Sequence, residues 1–180
     1  MDYKKILKHN QKYILSVIAV LCMSLIRLLP HPPNVSPITA IALFSGGMIG
    51  GISAFGIPLL IMFISDLILG FHITIPFVYA SFIIITFFGF LLKKRNKSQH
   101  YLVASLFSSF LFFFITNFGV WLTSPMYQKN INGLILCYTM GVPFFRNTII
   151  GDIFFTIGIF YGFKLFTLIV QRFKLNILFK

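Results

Sequence analysis

Six long apolar runs, each close to the roughly 20 residues that cross the hydrocarbon core of a bilayer, alternate along the chain with clusters of proline, glycine and basic residues. Read at helical period, they predict helices over 13–29, 37–51, 55–71, 74–92, 101–122 and 147–169. The first ends in LPHPPNVSP, because proline has no amide to donate and its ring clashes with the preceding turn. The second starts near Pro37 and passes through GGMIGG, where Gly46/Gly50 and Gly47/Gly51 are small-xxx-small steps that let backbones approach closely. Between the last two runs lies SPMYQKNINGLILCYTMGVPFFR, too polar at its start to span and too apolar later for a plain loop. It reads as a re-entrant or interfacial segment around residues 134–140, folded back as a lid over the adjoining helix ends. The expected fold is all-α: an integral membrane bundle of about six transmembrane helices in a single domain, 1–180, with a re-entrant segment between helices 5 and 6.

Composition agrees with the pattern: 58% of residues are hydrophobic, 10% are charged and mean hydropathy is +0.93. The formal charge of +12 would point to nucleic acid in a soluble chain. Here the basic residues flank apolar runs, so the expected surroundings are a lipid bilayer and no nucleic acid. Lys4, Lys5, Lys8 and Lys12 precede the first run; Lys93, Lys94, Arg95 and Lys97 follow the fourth; Lys164, Arg172, Lys174 and Lys180 lie at the end. Six spans put all three groups on one side and leave Arg27, Lys129 and Arg146 opposite. The positive-inside rule then predicts a multi-pass protein of the cell's inner (plasma) membrane with both termini cytoplasmic. The N-terminus has the basic start and apolar middle of a signal peptide but no small-x-small cleavage site, and Leu21 before Cys22 does not fit a lipoprotein signal; it reads as a retained helix.

This topology gives every polar residue a depth, and nearly all fall at the outer ends: Arg27, His31 and Asn34 after helix 1, Asp66 and His72 on helix 3, Asn117 and Trp121 on helix 5, Arg146, Asn147 and Asp152 on helix 6. A carboxylate at membrane depth costs about 2.5 to 3.5 kcal/mol even on insertion scales, so Asp66 and Asp152 each need a partner or a wet cavity. Arg27 and Arg146 are at matching depth, and an internal ion pair or helix cap is one reading; direct contact with a ligand is the other. Asn117 and Trp121, four apart on one helical face, could present an amide beside an aromatic plane to a flat solute, or serve as a cross-helix bond and an interfacial aromatic. Gly151, Gly158 and Gly162 read as a packing strip.

No Ser/His/Asp elbow, HExxH or phosphate-binding loop is present, so neither catalysis nor ATP hydrolysis is expected. His31 and His72 stand alone in sequence and Cys22 and Cys137 form no CxxC pair, so neither a metal site nor a cofactor is expected.

The blocks LLPHPPNVSPITAIALFSGG, PLLIMFISDLILGFHITIPFVY, FFFITNFGVWLT and PFFRNTIIGDIFFTIG resemble those of an uncharacterised bacterial integral membrane family, a domain of unknown function, over most of the chain. The run 34–70, with its Asn-x-x-Pro entry, glycine-rich turn and Asp-Leu-x-x-Gly close, is also similar to the S components of energy-coupling factor vitamin transporters. Those are six-helix proteins that bind a micronutrient at the outer face. The resemblance implies capture of a small solute for transport, with coupling subunits as partners, and a pocket shaped by Asn34, Pro37, Asp66 and Gly70. The chain departs from that pattern in helix 1, where Leu15 and Met23 flank Ala19 instead of the Ala-xxx-Ala docking step. The site expected is therefore Asn34, Asp66, His72, Asn117, Trp121, Arg146, Asn147 and Asp152, with Arg27, His31, Pro37 and Gly70 as ion-pair or structural residues. The rival expectation is a membrane scaffold whose polar cluster only locks helices together; an enzyme acting on a lipid or polyprenyl substrate comes third.

Overall fold

The computed structural model describes residues 9–30, 32–94 and 98–172, and among them there are six α-helices and no strand. They are α1 (His9–Leu25), α2 (Ile38–Phe44), α3 (Ser53–Leu69), α4 (Ile75–Leu91), α5 (Ser98–Thr123) and α6 (Ile131–Arg172). His31, a predicted structural residue, and the basic residues Lys4, Lys5, Lys8, Arg95, Lys97, Lys174 and Lys180 lie outside the described residues.

The organising element is α2. All seven of its residues are buried, and it packs against each of the other five helices. It continues for one wider turn, Ser45–Ile49, closed by the Gly50 amide on the Ser45 carbonyl. Gly50 and Gly51, at φ +72° and +65°, then reverse the chain in a conformation that side chains disfavour. Phe44 anchors the core with edge-on contacts to Phe160 and Phe163 at 5.2 and 5.1 Å, and Tyr101 stacks on Phe160 at 4.1 Å. On its other side Leu43 and Ala42 join Met62, Phe82 and Ile85. A helix that is hydrophobic all round is stable in a protein core or within a membrane, and here contacts on every side put α2 in the core.

Close approach of α2 to α4 depends on glycine from both sides. A Cβ on Gly46 would fall on the Thr86 carbonyl oxygen, and one on Gly89 would fall on the Leu43 carbonyl. Of the predicted small-residue pairs, Gly46 and Gly47 thus make packing contacts, Gly47 against the Tyr101 ring, whereas Gly50 and Gly51 build the turn.

The expected re-entrant segment is absent: residues 131–147 are the first turns of one 42-residue helix, α6. Asn130 starts it, its side-chain oxygen accepting the Gly133 amide at 2.8 Å. Its buried positions, Gly133, Cys137, Gly141, Thr148, Asp152 and Phe155, keep helical spacing straight past Pro143, which sits exposed. A proline on the outer face removes one amide, but the inward stripe that packs on α5 holds the helix together. At 1.5 Å per residue α6 is about 63 Å long. It runs antiparallel to α5, with contacts at Tyr138–Phe114, Phe145–Phe113 and Thr156–Ser105.

Two helices, α5 over Gln99–Thr123 and α6 over Ile131–Ile169, are long and apolar enough to cross a membrane; the other apolar helices are shorter. Large apolar side chains stand exposed on the outer faces of α3 to α6, among them Phe63, Leu67, Phe87, Phe107, Phe114 and Phe154.

Candidate functional site

α2 begins well inside the bundle, and the space above its first turn is a cavity of about 510 Å³. Its walls come from α2 to α6 and from the three loops at that end, 29–37, 70–74 and 124–130. Ile38 and Thr39 form part of the base; Phe82, Phe112 and Phe144 give apolar wall; Asn34, His72 and Asn117 add polar groups, and Asp152 lies among them. The Ser36 hydroxyl on the same wall is buried and has no hydrogen-bond partner among the described residues.

The two acids, equivalent in sequence, are held in different ways. Asp66, 3% exposed, has both oxygens engaged: the Arg27 guanidinium reaches Oδ1 at 2.5 Å and the Tyr79 hydroxyl donates to Oδ2 at 2.8 Å. Arg27 also donates to the Ser65 hydroxyl and, at 3.2 Å, to the Met62 carbonyl. The last two turns of α3 therefore grip the short 3-10 turn Ile26–Leu28 that follows α1. Arg27 touches the cavity, but Asp66 stands behind it and does not.

Asp152, 2% exposed, is held by hydroxyls alone. Ser109 donates to its Oδ2 at 2.6 Å, and Thr39 bonds to it as well. Among the described residues no cation contacts it. Arg146, the expected counter-charge six residues earlier on α6, is exposed and does not line the cavity. Six residues on an α-helix turn the side chain about 240° away, so the two cannot share a face.

Of the predicted site residues, the structure brings Asn34, His72, Asn117 and Asp152 to one cavity, with Arg27 from the structural group. Asn34 sits in the loop after α1 at φ +63°, a conformation asparagine tolerates. His72 Nδ1 is 2.8 Å from the Thr74 hydroxyl at the exposed rim. The Asn117 amide donates to the Phe113 carbonyl at 2.8 Å. Pro37 is buried directly before α2, and Gly70, at φ +95°, ends α3 with its amide on the Asp66 carbonyl at 2.8 Å; both shape the chain around the cavity without lining it.

Asn147 and Trp121 do other work. Asn147 ties α6 to the loop after α1 by donating to the Pro33 carbonyl at 3.1 Å. Gly151, one turn on, lets that loop close in, since a Cβ there would be 3.1 Å from Val35 Cα. Trp121 fastens the 124–130 loop: its indole N–H donates to the Gln128 carbonyl at 2.9 Å, and Lys129 lies 5.8 Å from the ring centroid while bonding the Trp121 and Ser124 carbonyls. That loop carries Met126 and Tyr127 onto the cavity wall. Trp121→Phe, which deletes the indole N–H and its hydrogen bond but keeps a smaller aromatic ring, should cost about 1 kcal/mol or somewhat more. It should also speed amide hydrogen exchange selectively in residues 124–130, and unchanged exchange there would show that the loop is held by other means.

The residues that sequence reasoning missed are hydroxyls. Ser105 and Ser109 on α5 face Thr156 and Asp152 on α6, all four buried, with Thr156 donating to Ser105 at 3.1 Å. Their signal was the spacing of four on both helices, 105/109 and 152/156, within otherwise apolar runs; such pairs mark helix–helix contacts in membrane proteins.

A family profile matches residues 7–174, nearly the whole chain. The chain belongs to DUF6580, a family of unknown function. Comparison with curated proteins and with solved structures returns no match. Membership in DUF6580 therefore carries no ligand or reaction to this cavity, and its chemistry rests on the side chains described above.

Proposed function

We propose that the protein is a multi-pass membrane protein that captures a small solute in the cavity above α2. Binding would take place from the outer face, as in S-component-like substrate capture for a transporter with separate coupling subunits. The observation that supports this reading is the cavity itself. Its volume of about 510 Å³ falls within the range of small-molecule sites, which are mostly apolar with a few placed polar groups. An unpaired Ser36 hydroxyl and a carboxylate without a cation are open hydrogen-bonding positions that a helix lock would have filled. The cavity lies at the end away from Lys93 and from Lys164 on the C-terminal part of α6, which under the positive-inside rule supports an outer-face opening.

The exposed apolar faces of α3 to α6 suit lipid contact in this arrangement. Reporters fused after Lys180 and inserted at Lys97 should both read as cytoplasmic, and an outer-face signal from either would break the six-span topology. The binding role is tested by mass spectrometry of small molecules extracted from the detergent-purified chain and from Val120→Trp, which adds a large ring to the cavity wall. Retention of a discrete molecule by the wild type and its loss from a variant of unchanged thermal stability is the expected result. A cavity holding only lipid or detergent in both would sink the reading.

A scaffold role has one specific observation in its favour: the Arg27, Asp66, Tyr79 and Ser65 cluster is internally paired in charge and joins the ends of α1, α3 and α4. That cluster lies behind the cavity wall and is compatible with a binding function in front of it.

A further inference from the structure

We propose that the solute is an organic cation, a compact amine with an apolar body, whose positive group pairs with Asp152. This rests on the reading of the cavity as a binding site and names the class of molecule it takes.

The charges around the cavity can be accounted for one by one among the described residues. Arg27 reaches the wall, but Asp66 neutralises it from behind at 2.5 Å, so the pair contributes little net field. Lys129 is turned away, bonded to the Trp121 and Ser124 carbonyls. Arg146 is exposed and off the wall. His72 sits at the rim against Thr74. What remains is Asp152, 2% exposed, with hydroxyl partners only.

A buried carboxyl group is stable either protonated or beside a positive charge, because hydroxyl hydrogen bonds replace only part of the hydration its ionised form loses, and a cation in the cavity would hold it ionised. The described chain supplies no such charge, and the open volume in front of Asp152 is where a ligand's cation would stand. Two hydroxyls on the carboxylate fix its position and leave acceptor capacity for a further donor, since an ionised carboxylate accepts about four hydrogen bonds. An ammonium group seated there would bond charge to charge with little water between, the condition under which such contacts are strongest.

The rest of the molecule is set by the remaining wall. Phe82, Phe112 and Phe144 form apolar surface suited to a ring or alkyl body. Anionic solutes are disfavoured by the same arithmetic: among the described residues the one guanidinium or ammonium at the wall, Arg27, already has a partner, and Asp152 can contribute only negative charge.

The test uses three probes with one indole body and different heads: tryptamine, indole-3-ethanol and indole-3-acetate, measured for binding to the full chain in detergent. Tryptamine should bind wild type with a dissociation constant below about 1 mM and roughly tenfold or more tighter than the neutral alcohol, which a single charge contact readily supplies. In Asp152→Asn that preference should collapse to near parity. Equal or tighter binding of the alcohol or the acid to wild type overturns the proposal, as does absence of tryptamine binding. These comparisons need only the wild type, so they decide even if Asp152→Asn does not fold. A discrete neutral or anionic molecule extracted from the wild type would also overturn it while leaving the solute-binding role intact; finding no discrete molecule removes both.

Discussion

Asp66→Ala should lower stability by about 3 to 5 kcal/mol, because it leaves the Arg27 guanidinium in a largely buried position with no counter-charge. For a chain of this length that corresponds to a fall in Tm of roughly 6 to 20 °C. The geometry explains the size. Arg27 has a side chain only 12% exposed and makes its bonds to the last two turns of α3, so it cannot swing out to water without releasing the turn after α1. Arg27→Met should be comparably costly, since it strands Asp66 with the Tyr79 hydroxyl alone. The double variant Arg27→Met with Asp66→Leu should recover most of the loss, as buried ion pairs replaced on both sides by apolar groups often do. Thermal unfolding of the four proteins in one detergent forms the cycle. Single-variant losses below about 1 kcal/mol, the range of solvent-exposed pairs, would mean that the cluster is hydrated and does not clamp α1 to α3.

That pair was half legible in the sequence. Depth arguments placed Arg27 and Arg146 opposite Asp66 and Asp152, and one match holds: Arg27 with Asp66. Depth alone could not assign the other, because it ignores rotation about the helix. Arg146 and Asp152 lie on the same helix on different faces, and the hydroxyls that do reach Asp152 come from α5 and α2. Apolar periodicity located the first five helices and the C-terminal end of α6 to within a few residues, since helix burial rewards the same apolar runs. It misjudged 131–147 because the segment is too polar at its start to read as a span and too apolar later to read as a plain loop. The stripe 133, 137, 141, 148 that continues into Asp152 was the stronger signal. The cavity itself could not be read from sequence. It follows from α2 being short and central, with Asn34, His72, Asn117 and Asp152 arriving from four different parts of the chain.

Gly89→Ala and Gly46→Ala should each destabilise by about 1 to 3 kcal/mol or more, the cost of forcing extra atoms into a packed interface. Here the atoms met are backbone: the Leu43 carbonyl for Gly89, and for Gly46 the Thr86 carbonyl together with the Phe90 amide nitrogen at 2.6 Å. A side chain can change rotamer to make room, whereas backbone atoms of a helix move only with the helix. The added methyl must therefore push α2 and α4 apart. Gly162→Ala supplies the control, because nothing lies within 4 Å of its Cβ position in the middle of α6, and helix propensity alone predicts a gain of up to about 1 kcal/mol. The double variant Gly46→Ala with Gly89→Ala should cost less than the two singles added, since one separation of the helices relieves both clashes. The consequence extends to the cavity. Ile38 and Thr39, at the start of α2, form part of its base, and Thr39 is one of two hydroxyls on Asp152. Displacing α2 should thus weaken solute retention as well as folding, while Gly162→Ala leaves retention unchanged. Loss of stability without loss of retention would show that the upper turn of α2 is held independently of its crossing with α4.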